Sequence, residues 1–135
     1  GFIITGSGTG GRPILSPSDL TQVTAYSIAN NSLTCRGPIQ ASSESLSHAA
    51  LYECSPMIQA VAHIHSNQLW TNFLNILPTT SPTTPYGTPE MAAEILHLYK
   101  TTDLPTKKIL AMAGHPDGLI SFGATPEECA TLLLK

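Results

Sequence analysis

The sequence predicts a layered α/β domain built on a mixed sheet. Short apolar segments that are typical of strands are interspersed with longer segments whose apolar residues recur at helical spacing. Tight-turn signals such as Asn30-Asn31 join some of the strand-like segments, which indicates antiparallel neighbours. Helices interspersed with strands in this way form layers that cover a sheet.

Six segments are predicted to be strands, because their apolar or β-branched residues form short runs between turn signals. They are residues 2–5, 23–29, 33–35, 58–65, 109–112 and 119–122. Residues 16–20, which include Ser-Pro-Ser-Asp, predict a short helical turn. Residues 78–85 are rich in Thr and Pro and predict an irregular loop.

Four helices are predicted, and each begins after residues that cap helix N-termini. The predicted caps are Ser43 or its neighbour, Ser66, Thr88 and Thr125. The first helix ends at Ser55-Pro56, and the second carries apolar residues to position 77. The last helix begins with a capping box from Thr125 to Glu128.

The composition is that of a small globular chain, and we expect one domain over residues 1–135. Only 11% of the residues are charged and the net charge is −3, which excludes the basic surface that nucleic acids or anionic membranes require. No apolar run reaches the roughly 18–20 residues of a membrane span. The low charge suits a chain that covers part of its surface by forming a homo-oligomer.

The cysteines and the two ends of the chain add two expectations. Three widely spaced cysteines without a Cys-x-x-Cys pair indicate reduced thiols in a cytoplasmic protein. The chain opens directly on a predicted strand and stops inside a predicted helix. We therefore expect that N-terminal and C-terminal segments of the domain are missing from this sequence.

His63-Ile64-His65 is the most informative motif of the chain. In a strand the two imidazoles project from the same face, with Cα atoms roughly 6–7 Å apart, so both can reach one divalent cation. Glu44 upstream and His115 downstream would complete a His₃ or His₃Glu set, which suits a catalytic zinc site with one open position. An isolated His-x-His is more often a pair of ordinary histidines near the end of a strand. The flanking residues favour the metal site.

Ser42-Ser43-Glu44 predicts the start of a helix, where the free N–H groups and the helix dipole favour an anion. The two hydroxyl groups suit a phosphate ester, although a simple helix cap is the more common explanation of such a tripeptide by itself. His48 lies one helical turn after Glu44. It is either a support for the site, hydrogen-bonded to a carboxylate or backbone group, or a core histidine.

The loop of residues 6–11 is rich in glycine and follows a predicted strand. It lacks the Gly-Lys-Ser/Thr ending of a phosphate-binding loop, and no long helix follows it as in a dinucleotide-binding fold. A flexible turn is the simpler interpretation, and a smaller phosphate cradle that uses Ser7 stays open. His97 lies in the middle of a predicted helix and is given no functional role.

Glu44, His48, Pro56 and the segment 60–65 form an ordered pattern that resembles the class II aldolase/adducin family, and within it the zinc-dependent fuculose-phosphate aldolase type. Residues 2–8 resemble the family's first strand and Thr-Gly phosphate loop. Residues 86–90 resemble the segment that leads into its next helix, and residues 113–115 the segment with its third histidine. The similarity covers nearly the whole chain.

The resemblance implies a three-layer α/β/α domain with a mixed, largely antiparallel central sheet, commonly assembled as a homotetramer with sites at subunit interfaces. It implies that Zn²⁺, or another divalent metal, is bound by three histidines. It also implies that Glu44 is the acid/base and a further metal ligand when substrate is absent. The implied ligands are His63, His65 and His115, and the implied phosphate contacts are Ser7, Gly8, Ser42 and Ser43.

The function implied is that of a metal-dependent lyase, which cleaves or forms a C–C bond of a sugar phosphate by aldol chemistry through a zinc-stabilised enediolate. Glutamate at position 44 favours aldol chemistry, because the epimerase branch of the family usually has aspartate there. Two alternatives stay open. One is a non-catalytic, adducin-like scaffold module, and the other is a sugar-phosphate epimerase or dehydratase that uses the same metal site.

Overall fold

The computed structural model describes residues 1–134, which fold into strands and helices in alternation. The strands are β1 (Phe2–Thr5), β2 (Leu20–Ser27), β3 (Ser32–Arg36), β4 (Ala60–His65), β5 (Thr79–Thr80), β6 (Ile109–Met112) and β7 (Gly118–Gly123). The helices are α1 (Ser45–Cys54), α2 (Asn67–Phe73), α3 (Pro89–Thr101), α4 (Leu104–Lys107) and α5 (Pro126–Leu134), with a 3-10 turn at Pro17–Asp19.

The first sheet is an antiparallel meander in the order β1-β2-β3. Its second turn is the predicted one, and Asn31 adopts the left-handed conformation (φ 50°) that asparagine tolerates. The middle strand begins three residues earlier than predicted, at Leu20, where it pairs with Thr5. The sequence therefore predicted the β2–β3 hairpin correctly and placed the ends of these two strands one to three residues from their positions in the structure.

The second sheet has the order β4-β7-β6-β5. β7 pairs antiparallel with β4 along its whole length, from Ala60 opposite Gly123 to His65 opposite Gly118. β6 pairs antiparallel with β7 and parallel with β5. The predicted mixed, largely antiparallel sheet is confirmed, with its strands divided between two sheets.

Helices cover both faces of the second sheet, which confirms the three-layer α/β/α arrangement. Alternate residues of a strand point to opposite faces, and the two faces of β6 and β7 pack into separate clusters. One cluster joins Leu110, Met112, Ile120 and Phe122 to α1 and α3. The other joins Ile109, Ala111 and Leu119 to α2 and to Leu133 of α5.

Two short elements were not predicted from the sequence. β5 lies inside the segment 78–85, so the prediction of an irregular loop there was wrong at Thr79 and Thr80, while residues 81–85 have no regular structure. Thr80 is 1% exposed in β5, where the strand is stabilised by its parallel pairing with β6 rather than by a local apolar pattern. α4 follows Asp103 and ends at Lys107, and its C-cap residue Lys108 has a left-handed backbone (φ 61°).

The predicted helix caps are confirmed at three of the four helices. Ser66 and Thr88 accept backbone N–H groups of the first turns of α2 and α3. Thr125 accepts the Glu128 N–H at the start of α5. The Glu128 carboxylate, however, accepts the N–H of Ala124 rather than that of Thr125.

The start of α1 differs from the prediction. Glu44, not Ser43, occupies the N-cap position, and its side chain makes no capping hydrogen bond. The turn is held from outside the helix instead, because Ser42 Oγ accepts the Glu44 N–H (3.2 Å) and the Ser45 hydroxyl donates to Ser42 O (2.6 Å). This leaves the Glu44 carboxyl group free of any structural hydrogen bond.

α2 is shorter than predicted, since it ends at Phe73 while the apolar residues continue to Leu77. The indole N–H of Trp70 in α2 donates to Met112 O (2.9 Å) and thereby ties this helix to β6. Cys35, Cys54 and Cys129 are free thiols. Among residues 1–134, no helix combines the length and the apolar character that a bilayer-spanning segment needs.

Candidate metal centre and acid/base site

His63 and His65 project from the same face of β4, as strand geometry requires. His63 Nδ1 lies 3.1 Å from Leu119 O, and His65 Nδ1 lies 3.3 Å from Pro116 O. A carbonyl oxygen can only accept, so each Nδ1 carries the proton and donates it. Each Nε2 is therefore left with its lone pair.

The two Nε2 atoms lie 3.2 Å from one another. With both protons on Nδ1, two lone pairs face each other at this distance, which is unfavourable unless a cation or proton lies between them. Two imidazole nitrogens about 2.0–2.1 Å from one tetrahedral zinc ion are roughly 3.3 Å apart. The spacing of the two imidazoles therefore fits a shared metal ion.

His115 completes the group from the turn between β6 and β7. Its N–H donates to Met112 O (3.2 Å) and its carbonyl accepts the Gly118 N–H (2.9 Å), which fixes the turn. The His115 ring centroid lies 5.1 Å from that of His63 and 4.5 Å from that of His65. The structure thus brings the three predicted histidines together, with one ligand atom of each within 4.8 Å of the others.

Glu44 lies beside this group, buried at the start of α1. Its side chain is 4% exposed, and its Oε1 is 3.3 Å from His115 Nδ1 without hydrogen-bond geometry. Both carboxyl oxygens lack a hydrogen-bond partner, and burial raises the pKa of Glu44 from 4.5 to about 7. A buried carboxyl group without partners is costly, so the pocket is suited to a ligand or cation that is bound next to it.

Burial favours the neutral form of His63 and His115. The pKa of His63 is lowered to about 4, first by burial and then by the neighbouring His115 and His65. Burial and His65 lower the pKa of His115 as well. Neutral imidazole is the form that binds a metal ion, so these two rings are in their metal-binding form at neutral pH.

His48 lies on α1 and is buried, and burial together with the nearby His63 lowers its pKa to about 3. Because neither carboxyl oxygen of Glu44 has a hydrogen-bond partner, the suggested bond from His48 to this carboxylate is not formed. The backbone N–H of His48 donates to Glu44 O (3.1 Å) within the first turn of the helix. The role of His48 as a support for the site stays a prediction.

The proposed phosphate contacts come from two segments that the backbone pairs with each other. Gly6 forms a bridge with Ala41, and on either side Ser7 N–H donates to Gln40 O (2.9 Å) and Ser42 N–H donates to Thr5 O (3.2 Å). The loop that begins at Ser7 therefore lies next to the start of α1. The side chains of Ser7 and Ser43 and the backbone of Gly8 are exposed there, and Ser42 is half-buried.

Tyr86 is a further member of the site whose position could not be derived from the sequence. Its ring centroid lies 4.1 Å from that of His115, with the rings tilted by 38°. Tyr86 is 51% exposed and follows the loop that contains β5, so no periodic pattern links it to His115. The signal that points to it is the packing of this loop against the β6–β7 turn.

The comparisons with known proteins agree with this architecture. A solved structure from Escherichia coli, YgbL, is described provisionally as an aldolase/epimerase/decarboxylase; it matches with a TM-score of 0.64 at 20% sequence identity. The match covers 90% of this chain and 62% of YgbL, so the chain spans less than two thirds of that protein. No curated protein sequence matches this chain closely enough to be called a relative.

The sequence profile described as "Class II Aldolase and Adducin N-terminal domain" matches residues 1–135, the full length of the chain. The fold, with helices on both faces of a mixed sheet, is that of its structural neighbour. The resemblance inferred from Glu44 and the His-x-His motif is thereby confirmed. This chain belongs to the class II aldolase and adducin family.

Proposed function

We propose that this protein is a zinc-dependent lyase of the class II aldolase type, which cleaves or forms a C–C bond of a phosphorylated sugar. One observation carries the proposal. Three imidazoles offer nitrogen atoms within 4.8 Å of one another, and a buried carboxyl group without a hydrogen-bond partner lies 3.3 Å from one of them. A metal ligand set beside a free acid/base group is what aldol chemistry requires.

His63, His65 and His115 would hold the metal ion. Imidazole ligands suit zinc and other transition metals rather than magnesium or calcium, and three protein ligands leave a position open for substrate. When bound, the metal supplies Lewis acidity at the substrate carbonyl, which stabilises the negative charge that C–C cleavage leaves behind. The carbonyl groups of Leu119 and Pro116 keep two of the imidazoles in the correct tautomer and orientation.

Glu44 would accept and return the proton of the reaction at a carboxyl oxygen. Both of its oxygens are free to do so, since neither makes a hydrogen bond to the backbone at the start of α1. Burial excludes the water that would otherwise compete for the proton. A positioned acid/base group of this kind contributes roughly 10²–10⁴ in rate.

Ser7, Gly8, Ser42 and Ser43 would bind the substrate phosphate. These residues lie on the two segments joined at the Gly6–Ala41 bridge, next to the start of α1. The N-terminus of a ten-residue helix favours an anion, and the serine hydroxyl groups can donate to phosphate oxygens. A phosphorylated substrate would thus be held at one end by this surface and presented to Glu44 at the other.

The test of this proposal is Glu44→Gln, with Glu127→Gln as the matched control on the opposite side of the second sheet. We expect Glu44→Gln to keep one zinc ion per chain and to lose turnover of phosphorylated ketoses by roughly 10²–10⁴. Glu127 is exposed on α5, so its variant should keep wild-type turnover. An undiminished rate in Glu44→Gln would refute the acid/base role.

Metal and product analysis distinguish the alternatives. A wild-type chain that stays metal-free after zinc addition would indicate a scaffold module of the adducin type. Zinc-dependent epimerisation or loss of water without C–C cleavage would show that the protein is an epimerase or a dehydratase. The proposed metal site would stand in either case. Sedimentation analysis tests the further expectation of a homotetramer.

A further inference from the structure

We propose that Tyr86 is a positioning residue, which holds the imidazole of His115 in its metal-binding orientation by ring stacking within the same chain. The proposal rests on the metal centre described under the proposed function. It assigns a role to the aromatic ring of Tyr86, and it does so independently of the hydroxyl group.

The three imidazoles differ in what fixes their orientation. The rings of His63 and His65 are each anchored by a hydrogen bond from Nδ1 to a backbone carbonyl, of Leu119 and Pro116 respectively. His115 Nδ1 is buried and has no hydrogen-bond partner. Metal-binding histidines almost always have such a partner to hold the ring. The nearest acceptor, Glu44 Oε1 at 3.3 Å, lacks hydrogen-bond geometry, so the His115 ring is without the hydrogen-bond restraint that the other two rings have.

The Tyr86 ring is placed to supply a different restraint. Its centroid is 4.1 Å from that of His115, closer than the centroids of His65 (4.5 Å) and His63 (5.1 Å). The tilt of 38° is compatible with the offset arrangements that aromatic pairs prefer. Tyr86 is half-exposed whereas His115 is only 8% exposed, so the tyrosine ring separates the imidazole from solvent.

The backbone next to Tyr86 packs closely against two other segments of the site. Gly87 has a left-handed backbone (φ 69°), and a Cβ atom there would lie 3.2 Å from Ser43 O. A Cβ atom on Gly114 would collide with Thr84 O. The segment 84–87 thus passes close to the residue before Glu44 and the residue before His115, and glycine allows both approaches.

Hydrogen bonds to α3 fix the same segment. The Glu94 carboxylate accepts the Ser81 N–H (2.6 Å) and the Thr84 hydroxyl (3.4 Å). After the tyrosine, the Thr88 hydroxyl donates to Pro85 O (2.7 Å). Tyr86 therefore projects from a turn with bonded residues on either side, which gives its ring a defined place against His115.

The experiment compares Tyr86→Phe, Tyr86→Leu and Tyr86→Ala by the affinity for Zn²⁺ and by the absorption spectrum of the Co²⁺-loaded protein. Phenylalanine keeps the ring, leucine keeps apolar volume without a ring, and alanine removes both. We expect Tyr86→Phe to bind zinc within about 2-fold of wild type, and Tyr86→Leu and Tyr86→Ala to bind roughly 10-fold more weakly. The Co²⁺ bands, which report ligand geometry, should shift only in the two variants without a ring.

The thermal unfolding of the metal-free proteins separates this role from a structural one. Because Tyr86 is half-exposed, we expect the metal-free variants to unfold at nearly the wild-type temperature. Equal zinc affinity in wild type and Tyr86→Ala, or full affinity in Tyr86→Leu, would overturn the stacking role alone. A wild-type protein that binds neither Zn²⁺ nor Co²⁺ would overturn the metal centre and this role together.

Discussion

The two sheets differ in how completely their faces are covered. Every residue of β6 and β7 is buried, because helices pack on both faces of the four-stranded sheet. In the three-stranded sheet, β2 begins with buried and exposed residues in alternation, and β3 has no fully buried residue. The central strands of one sheet are buried on both faces, whereas the other sheet has one face open.

The proposed site uses this difference. His63 and His65 come from β4, the edge strand that pairs along its whole length with the buried β7, and His115 comes from the turn between β6 and β7. The exposed residues Ser7 and Gly8 come from the end of β1 in the open sheet. Metal ligands must be placed to within a fraction of an ångström, whereas hydroxyl groups on a loop can adjust to a phosphate. The metal ligands therefore lie on the better-ordered backbone, and the phosphate contacts lie on the more adaptable loop.

The largest expected effect tests the difference in packing. Phe122→Ala removes a ring that is 2% exposed between β7 and the α1–α3 layer, and we expect it to lower the free energy of unfolding by about 3–5 kcal/mol. Leu33→Ala, in the open sheet, is half-buried and should cost about 1 kcal/mol. Urea unfolding of both variants measures the difference. Similar losses would mean that the two sheets are equally packed.

The next effect tests where a metal ion is bound. Zn²⁺ at a hundred times its dissociation constant should raise the free energy of unfolding by about 2.7 kcal/mol. His65→Ala should lose most of this gain, while His97→Ala, an exposed histidine on α3, should keep it. Hydrogen exchange should slow in β4 and β7 rather than in the open sheet. Slower exchange confined to β1–β3 would contradict the proposed ligands.

The smallest effect concerns an ion pair at the rim of the covered sheet. Glu128 of α5 accepts a hydrogen bond from Lys108 beside β6 (2.7 Å) and from the Ala124 N–H (2.8 Å). The bond from Lys108 and then that from Ala124 lower the pKa of Glu128 below 4.5. The folded state therefore holds the Glu128 proton less tightly than the unfolded chain. Its stabilising contribution is present above pH 4.5 and is lost as the pH falls through the lowered pKa.

Unfolding of Glu128→Gln at neutral and acidic pH measures this contribution. We expect the variant to be less stable than wild type at pH 7, and the two proteins to converge at acidic pH, once the pH has fallen below the lowered pKa of Glu128. Glu127→Gln removes the same charge from the adjacent exposed position and serves as the control. A stability difference that persists unchanged at acidic pH would assign the effect of Glu128 to packing rather than to charge.

Local sequence patterns predicted most of the fold. Alternation placed His63 and His65 on one face of β4, and cap residues such as Thr88 marked where helices begin. Elements stabilised mainly by distant partners were missed. β5 has only two residues, and its pairing with β6 connects positions about thirty residues apart in the chain, so nothing in its own segment identifies it.

The site could be predicted because the resemblance to a known family indicated which residues, distant in the chain, come together. The convergence of His115 with the β4 histidines depends on the turn between β6 and β7, which residue types alone do not specify. Glu44 was expected within the first turn of α1 and is instead its N-cap, after a turn in which Ser42 Oγ accepts the Glu44 N–H. The stacking of Tyr86 on His115 is a tertiary contact without any local signal.

The alignment of β4 with β7 has a consequence for how the chain reaches its native state. His63 lies opposite Ile120 and bonds to the carbonyl of the adjacent Leu119, so the placement of its ring depends on correct strand pairing. A slip of one residue would turn both β4 histidines toward the α2–α5 layer, away from Glu44. An ion that needs all three rings would then stabilise correctly paired chains and leave misaligned ones without support. Metal binding during folding would thereby shift the population toward chains in which β4 and β7 are paired in the native register.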